Sequence, residues 1–332
     1  MGLTWLVGSV MECRGRQELY EHQGPEILEA LRQMALIQSV ESSNRIEGVT
    51  VERERLKPLV LGRAEPRDRP EEEIVGYRQA LAWIHENHNR IDLTPGTLLQ
   101  MHRLAQGGTT GDAGQWKTRD NEVIEILPNG ERRLRWKAVP AADTAEAVEA
   151  LCLAYRHSSG QGLLPPLLAA GGFVLDFLCI HPFRDGNGRV SRLATLLLLY
   201  QQGFRVGRYI SVERIVEESK ESYYEALHTS SQGWHDAAHN PVPWWSYFLT
   251  TVRGAYREFE ERVSRMAGRR GAKTDAIEHA IESLPREFPV SELDRLCPSV
   301  SRDLVRRVLR RRRDEGRLTC SSRGRGAIWR KT

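Results

Sequence analysis

The chain has 332 residues, 28% of them charged and 40% hydrophobic, a balance that excludes extensive disorder and leaves room for a sizeable core. Its formal charge of +4 conceals an asymmetry: Ser301 to Thr332 holds 12 Lys+Arg against 3 Asp+Glu, a segment charge of +9 that leaves −5 for residues 1–300. The apolar runs are too short, or too interrupted by Asp176 and His181, to cross a membrane, and the 5 widely spaced cysteines read as reduced thiols of a cytoplasmic protein.

The opening stretch MGLTWLVGSVMECRGR lacks the basic start and cleavage pattern of a secretory leader, and Leu6 stands where a myristoylation signal needs Ser or Thr. In GPEILEALRQMALIQSVESSNRIEG, Ile27, Leu28, Leu31, Met34, Ala35 and Ile37 recur near a 3.6-residue period, which predicts a helix ending at Gly48. GRAEPRDRPEEE reads as a surface loop, an amphipathic helix is expected over roughly 71–88, and Thr94-Pro95 as the start of the next. Residues 114–139 differ in kind, because β-prone Val123–Leu127 and Arg133–Trp136 flank Asn129-Gly130, a strong hairpin signal. Helices are then expected at about 142–157, 163–180, 188–203, 212–228 and 242–266, followed by a linker, GRRGAKT, at 268–274.

The last segment has its own pattern. TDAIEHAIESLP, VSELDRLC and SRDLVRRVLRRRRDEG predict three helices, and RLTCSSRGRGAIWRKT predicts two strands around a basic turn, the order of a winged helix-turn-helix. Leu304, Val305, Val308 and Leu309 share one face of the third helix, with Arg306, Arg307, Arg310, Arg311, Arg312 and Arg313 elsewhere. Such a charge run is an ordinary solvated face, and it also suits contact with DNA phosphates.

The chemistry concentrates in HPFRDGNGRVSR, residues 181–192, set between PLLAAGGFVLDFLCI and LATLLLLYQQG. If Asp185-Gly186-Asn187-Gly188 turns between two buried helices, its backbone N–H groups and the new helix N-terminus form an anion nest. Arg189 and Arg192 lie three apart on that helix and share a face. Asp185 offers a hard oxygen ligand for Mg²⁺, His181 a base able to take a proton from a hydroxyl, and Phe183 an anchor in the core. Each feature alone has a plain structural reading as a cap or a turn. Together they imply phosphoryl or nucleotidyl transfer to a hydroxyl.

This stretch resembles the signature of the Fic family, His-x-Phe-x-Asp/Glu-Gly-Asn-Gly-Arg-x-x-Arg, at every fixed position. The resemblance implies a mainly α fold: a helical bundle with a β-hairpin flap at 94–266, an N-terminal helical region at 1–93, and the winged helix-turn-helix at 267–332. It implies transfer of AMP from ATP, with Mg²⁺, to a Ser, Thr or Tyr hydroxyl of a target protein, the protein itself included. His181 is then the general base and Asp185 the metal ligand. Phe183, Arg184, Gly186, Asn187, Gly188, Arg189, Arg192, Tyr223 and Tyr224 are the ATP-binding set, although Ser231 departs from the Asn of some members. Ser43-x-x-x-Glu47-Gly48 resembles the family's inhibitory motif, in which Glu47 would pair with Arg192. By pattern alone it is a helix end capped by Gly. Val123, Ile124, Glu125 and Ile126 resemble the flap edge that docks an extended target, or form a simple hairpin.

Other readings stay open on the sequence: a DNA-binding regulator whose core senses nucleotide, a hydrolase that removes AMP, and a homodimer. His228, His235 and His239 read as structural rather than as a metal cluster.

Overall fold

The computed structural model describes residues 2–21, 25–107, 111–126, 132–297, 300–321 and 327–332. The chain divides into two units, Met1–Glu260 and Glu261–Thr332, so regions 1–93 and 94–260 share the first. No helix among the described residues is long and apolar enough to cross a membrane.

The first unit begins with α1 (Leu3–Glu21), unassigned by the sequence reading, which buries Leu6, Val10 and Cys13 at spacings of four and three. In α2 (Pro25–Ile46), Leu28, Leu31, Ala35, Val40 and also Ser39, Ser42, Ser43 and Asn44 are buried, so the C-terminal half of this helix carries hydroxyls into the interior. Gly48, at φ +81, terminates it. After α3 (Arg53–Val60), α4 (Arg69–Asn87) starts at Asp68, whose side chain accepts from Glu71 N–H at 3.0 Å, with Pro70 in the first turn. The expected surface loop therefore ends earlier than the charge run suggests: Glu71 and Glu73 lie on the inward face of α4 and are buried. Thr94 caps α5 (Pro95–Ala105) through Thr97 N–H, as its Thr-Pro start predicts.

The hairpin forms from β1 (Glu122–Ile126) and β2 (Arg132–Lys137), antiparallel, with Val123 opposite Trp136, Ile124 opposite Leu134, and a register shift between Val123 and Ile124. The expected Asn129-Gly130 turn and Leu127 lie outside the described residues. Then follow α6 (Thr144–Gly160), α7 (Pro166–Ile180) and α8 (Asn187–Gln201). The last two are buried along nearly all their length, including Asn187, Arg189, Ser191 and Arg192 in the first turns of α8. The single helix expected at 212–228 is two, α9 (Val212–Glu218) and α10 (Lys220–Ser231), separated at Ser219, whose hydroxyl bonds back to Ile215 O at 2.7 Å and to the Tyr247 hydroxyl at 2.8 Å. That local side-chain bond competes with helix continuation.

A larger correction concerns 268–274. The expected linker is helical, inside α11 (Val242–Ser283), which also contains most of the predicted TDAIEHAIESLP helix. In the second unit α11 is followed by β3 (Glu287–Pro289), α12 (Val290–Leu296), α13 (Arg302–Asp314), β4 (Leu318–Cys320) and β5 (Ile328–Lys331). The strands form one antiparallel sheet in the order β3-β5-β4, one strand more than expected. Its core is built from Ile277, Ile281, Phe288, Leu293, Val305, Val308, Leu309, Leu318 and Trp329.

Candidate functional site

The residues of 181–192 occupy the junction of α7 and α8. His181 closes α7 in the left-handed conformation, φ 51 and ψ 60, with its N–H donating to Phe177 O at 3.0 Å. A side chain at positive φ is uncommon and is held only where surroundings over-determine it. Lys117 is one such constraint. Its buried ammonium uses all three donors, on Ile180 O (3.3 Å), His181 O (3.0 Å) and Asn121 Oδ1 (2.8 Å), and Asn121 Nδ2 donates to Phe183 O at 2.8 Å. Burial pushes the Lys117 pKa down to about 8, which leaves it charged at neutral pH, where it suits the last carbonyls of α7.

The His181 ring has a defined tautomer. Nδ1 lies 3.3 Å from Leu178 O, and because a carbonyl only accepts, Nδ1 carries the proton and Nε2 is left as a lone pair. Burial pushes its pKa down to about 4, reinforced by Lys117 and opposed by the Leu178 carbonyl, Glu47 and Asp185. The imidazole is neutral at physiological pH.

Phe183 is fully buried between His102, stacked at 3.9 Å, and Trp116 at 5.1 Å. His102 Nδ1 accepts from Gly114 N–H at 2.9 Å, so Nε2–H donates to Asp185 O at 3.1 Å. Asn187 closes the turn from inside, with Oδ1 accepting from Phe183 N–H (2.9 Å) and Nδ2 donating to Phe183 O (2.7 Å). Its side chain thus positions the loop. Gly186 has φ +79, the left-handed region that favours Gly, and a Cβ there would sit 2.9 Å from Gln106 Nε2. Arg184 is exposed and pairs with Asp112 at 3.0 Å.

The two arginines of the motif have different surroundings. Arg189 is 1% exposed, and its Nη1 donates to Glu73 Oε2 at 2.6 Å. Arg69 Nε donates to the other oxygen of Glu73 at 2.8 Å, making one carboxylate between two guanidiniums. The Asp185 side chain, 52% exposed, has Oδ2 3.7 Å from Arg189 and 3.8 Å from Arg69. Arg192 instead faces α2: Nε donates to Ser43 Oγ (2.8 Å), and Nη2 to Ser43 O (2.9 Å) and Glu47 Oε1 (2.8 Å). Burial opposes its charge, but Glu47, Tyr77 and Tyr223 outweigh that and hold its pKa above the ordinary value. A Cβ on Gly188 would collide with the Glu47 carboxylate, so this acid lies directly against the first turn of α8.

Behind Ser43 stands a carboxylate with no cation within ion-pair distance among the described residues. Glu213 is buried at the start of α9 and accepts from Ser39 Oγ (2.7 Å), Tyr77 Oη (3.1 Å) and Ser211 Oγ (3.3 Å). It joins α2, α4 and α9 one helical turn before Ser43.

These groups border a cleft of about 460 Å³ lined by Glu47, Val123, Ile124, Trp136, His181, Gly188, Arg192, Tyr223 and Tyr224 among others. Tyr223 is buried edge-on to Trp244 and Tyr247, while Tyr224 is 44% exposed. The hairpin is tied to the cleft wall by Trp136, whose Nε1 donates to Cys179 O at 2.7 Å and whose ring stacks on His235 at 4.9 Å. Ile124 is exposed; the Glu125 and Ile126 side chains lie outside the described residues, although their backbone belongs to β1. His228 lines the cleft and His235 bonds to Lys137 O, and no group of three or more His, Cys, Asp or Glu side chains able to hold a metal occurs among the described residues.

Thus the structure brings together His181, Gly188, Arg192, Glu47, Tyr223, Tyr224, Val123 and Ile124 around one space, and sets Arg189, Asn187 and Phe183 behind it. Glu73, Lys117, Asn121, His102 and Glu213 were missed by the sequence reading. Only Glu73 had a usable signal, the i,i+4 spacing to Arg69.

Residues 92–199 match the model of the Fic/DOC family. Curated relatives include the ribonucleoside-diphosphate reductase small chain of Ostreid herpesvirus 1 (isolate France), 27% identical over 165 residues, covering 43% of this chain and 26% of that protein. Protein adenylyltransferase fic-1 of Caenorhabditis elegans is 22% identical over 232 residues, 68% of this chain and 39% of that one. The chain thus spans well under half the length of these relatives. Among solved structures, a Fic family protein from Desulfovibrio desulfuricans G20 superposes with TM-score 0.64 at 21% identity, covering 99% of this chain and 95% of that one. A Fic domain containing signaling protein from Bacteroides thetaiotaomicron VPI-5482 gives 0.65 at 20% identity, over 77% and 98%. At such identities the likeness is one of fold. The family match includes the α7–α8 junction, so residues 92–199 are similar to the Fic/DOC family and the fold is that of the Fic structures.

Proposed function

We propose that this protein transfers AMP from ATP to a hydroxyl of a target protein and that Glu47 restrains the reaction. The observation that carries the reading is the neutral His181, with Nε2 free, beside the N-terminus of α8 in the cleft that also holds Arg192. His181 Nε2 would accept the proton as the target oxygen forms its bond to the α-phosphorus, and the bond from that phosphorus to the bridging oxygen would break to release pyrophosphate. The N–H groups of 186–188 and the helix N-terminus would hold phosphate oxygens, and Tyr223 and Tyr224 would flank the base. Arg192 would hold the terminal phosphate once released from Glu47, and Arg189, committed to Glu73, would contribute its charge from behind the turn.

Magnesium fits as an ion that arrives with the nucleotide. Asp185 Oδ1 accepts from Gly186 N–H at 2.7 Å, and its half-exposed carboxylate can supply one hard ligand, the number Mg²⁺ needs when phosphates and water complete its shell. Bound there, the ion would neutralise phosphate charge.

Two further parts follow from this reading. Glu47, 2.8 Å from Arg192 and against Gly188, would occupy the seat of the terminal phosphate, so substrate and carboxylate compete for one guanidinium. The β1 edge, with Val123 and Ile124 facing the cleft, would accept an extended target segment by main-chain pairing.

The test is ATP-dependent self-labelling of the full chain with labelled ATP and Mg²⁺. Glu47→Gly should raise it at least about tenfold, the effect of ~1.4 kcal/mol of lost competition, and His181→Ala should abolish it. Equal labelling of wild type and Glu47→Gly overturns the restraint, and undiminished labelling of His181→Ala overturns the base assignment.

A further inference from the structure

We propose that the second unit is a winged helix that binds duplex DNA through the arginine face of α13. The element order is helix, strand, helix, helix, strand, strand, with the intervening strand β3 paired to β5 and β5 to β4. This is a helix-turn-helix closed by a small sheet, in which α13 is the second helix of the α12–α13 pair and the longer of the two, the place of a recognition helix.

The arginines of α13 divide by what they touch. Arg311, half-exposed, and Arg312, largely covered, both pair with Glu278 of α11, Arg311 at 2.7 Å. Arg306, Arg307 and Arg310 are exposed on the side opposite the buried Val305, Val308 and Leu309. Arg307 and Arg310 have no acidic partner among the described residues, and Arg306 has only Asp303 at 3.9 Å. Asp303 lies at the start of this face and Arg313 pairs with Asp314 at its end, so the uncompensated charge is confined to the middle of the helix.

A rigid helix with cations along its outer face fits a B-form major groove, about 12 Å wide against a helix diameter of roughly 10–12 Å. The deep, narrow major groove of A-form RNA does not admit it. A surface selected only for solubility would not need three arginines placed together with a single acid, Asp303, beside them, since interspersed charges of both signs serve that purpose.

The experiment is fluorescence anisotropy of a labelled 20-base-pair random-sequence DNA duplex with the full-length protein, between about 50 and 200 mM salt. Binding should weaken linearly in log–log form with salt. The triple variant Arg306→Ala, Arg307→Ala, Arg310→Ala should lose at least about tenfold in affinity at 50 mM and shallow the slope by about 2 to 3, one for each phosphate contact removed. The corresponding Lys triple should restore most of the loss, and circular dichroism should show the same helix content in all three proteins. If the Ala triple does not fold, Arg310→Ala alone should lower the slope by about 1. Absence of binding at 50 mM, equal binding by the Ala variants, or tighter binding of an RNA duplex of equal length overturns the proposal.

Discussion

Arginines 189 and 192 in the first unit and arginines 306, 307 and 310 in the second are the same side chain in opposite circumstances. The former pair is buried and matched, Arg189 by Glu73 at 2.6 Å and Arg192 by Glu47 at 2.8 Å, with the Ser43 hydroxyl and carbonyl accepting further donors of Arg192. The latter three face solvent; Glu278 and Asp294 of their unit serve Arg311, Arg312 and Arg302, and only Arg306 has an acid near it, the exposed Asp303 at 3.9 Å, among the described residues. A guanidinium taken out of water must find its counter-charge inside the protein, so each buried arginine commits a second residue far away in sequence. An exposed one commits nothing, and its charge stays available to a partner.

That contrast can be broken most severely at Arg189. Arg189→Met should destabilise the first unit by about 3–5 kcal/mol, because it leaves the Glu73 carboxylate buried with only Arg69 beside it. Urea unfolding followed by tryptophan fluorescence measures this, and a loss under about 1 kcal/mol would mean that the pair is solvated and the contrast wrong.

An intermediate effect is expected from pH. Burial, then the charges of Arg208 and His88, pushes the His85 pKa down to about 4. Between pH 6.5 and 4 the unfolded chain therefore binds a proton at this site that the folded one refuses, so stability falls as pH is lowered through that window and is regained above it. His85→Leu should flatten the dependence of the urea midpoint on pH by up to about one proton, and an unchanged dependence would show that the ring is accessible.

The smallest effects belong to the exposed set. Arg307→Ala and Arg310→Ala should each shift thermal stability by no more than about 0.5 kcal/mol, even where they weaken DNA binding. A larger loss would place them with the buried arginines.

Legibility followed the same division. The α7–α8 junction could be read because its determinants are local: Gly186 needs positive φ, Asn187 reaches back four residues to Phe183, and apolar runs mark the flanking helices. The pairing of Glu47 with Arg192 was anticipated through family resemblance; pattern alone gave a capped helix end. The GRAEPRDRPEEE run misled because composition counts charge without direction, while α4 turns Glu71 and Glu73 inward. GRRGAKT misled because two glycines and a cluster of cations look like a break, yet its backbone continues α11.

By itself, then, the sequence determined the helical class, the hairpin, the turn of 181–192 between two buried helices and the charge asymmetry of the tail, since periodicity, turn residues and spacing act over a few positions. Tertiary structure alone decided the partners: Glu73 for Arg189 across 116 residues, Lys117 for the carbonyls of Ile180 and His181, and Ser39 for Glu213 across 174. Such pairs are chosen by which buried polar groups meet when helices pack, and the need to satisfy them arises only once water has been excluded.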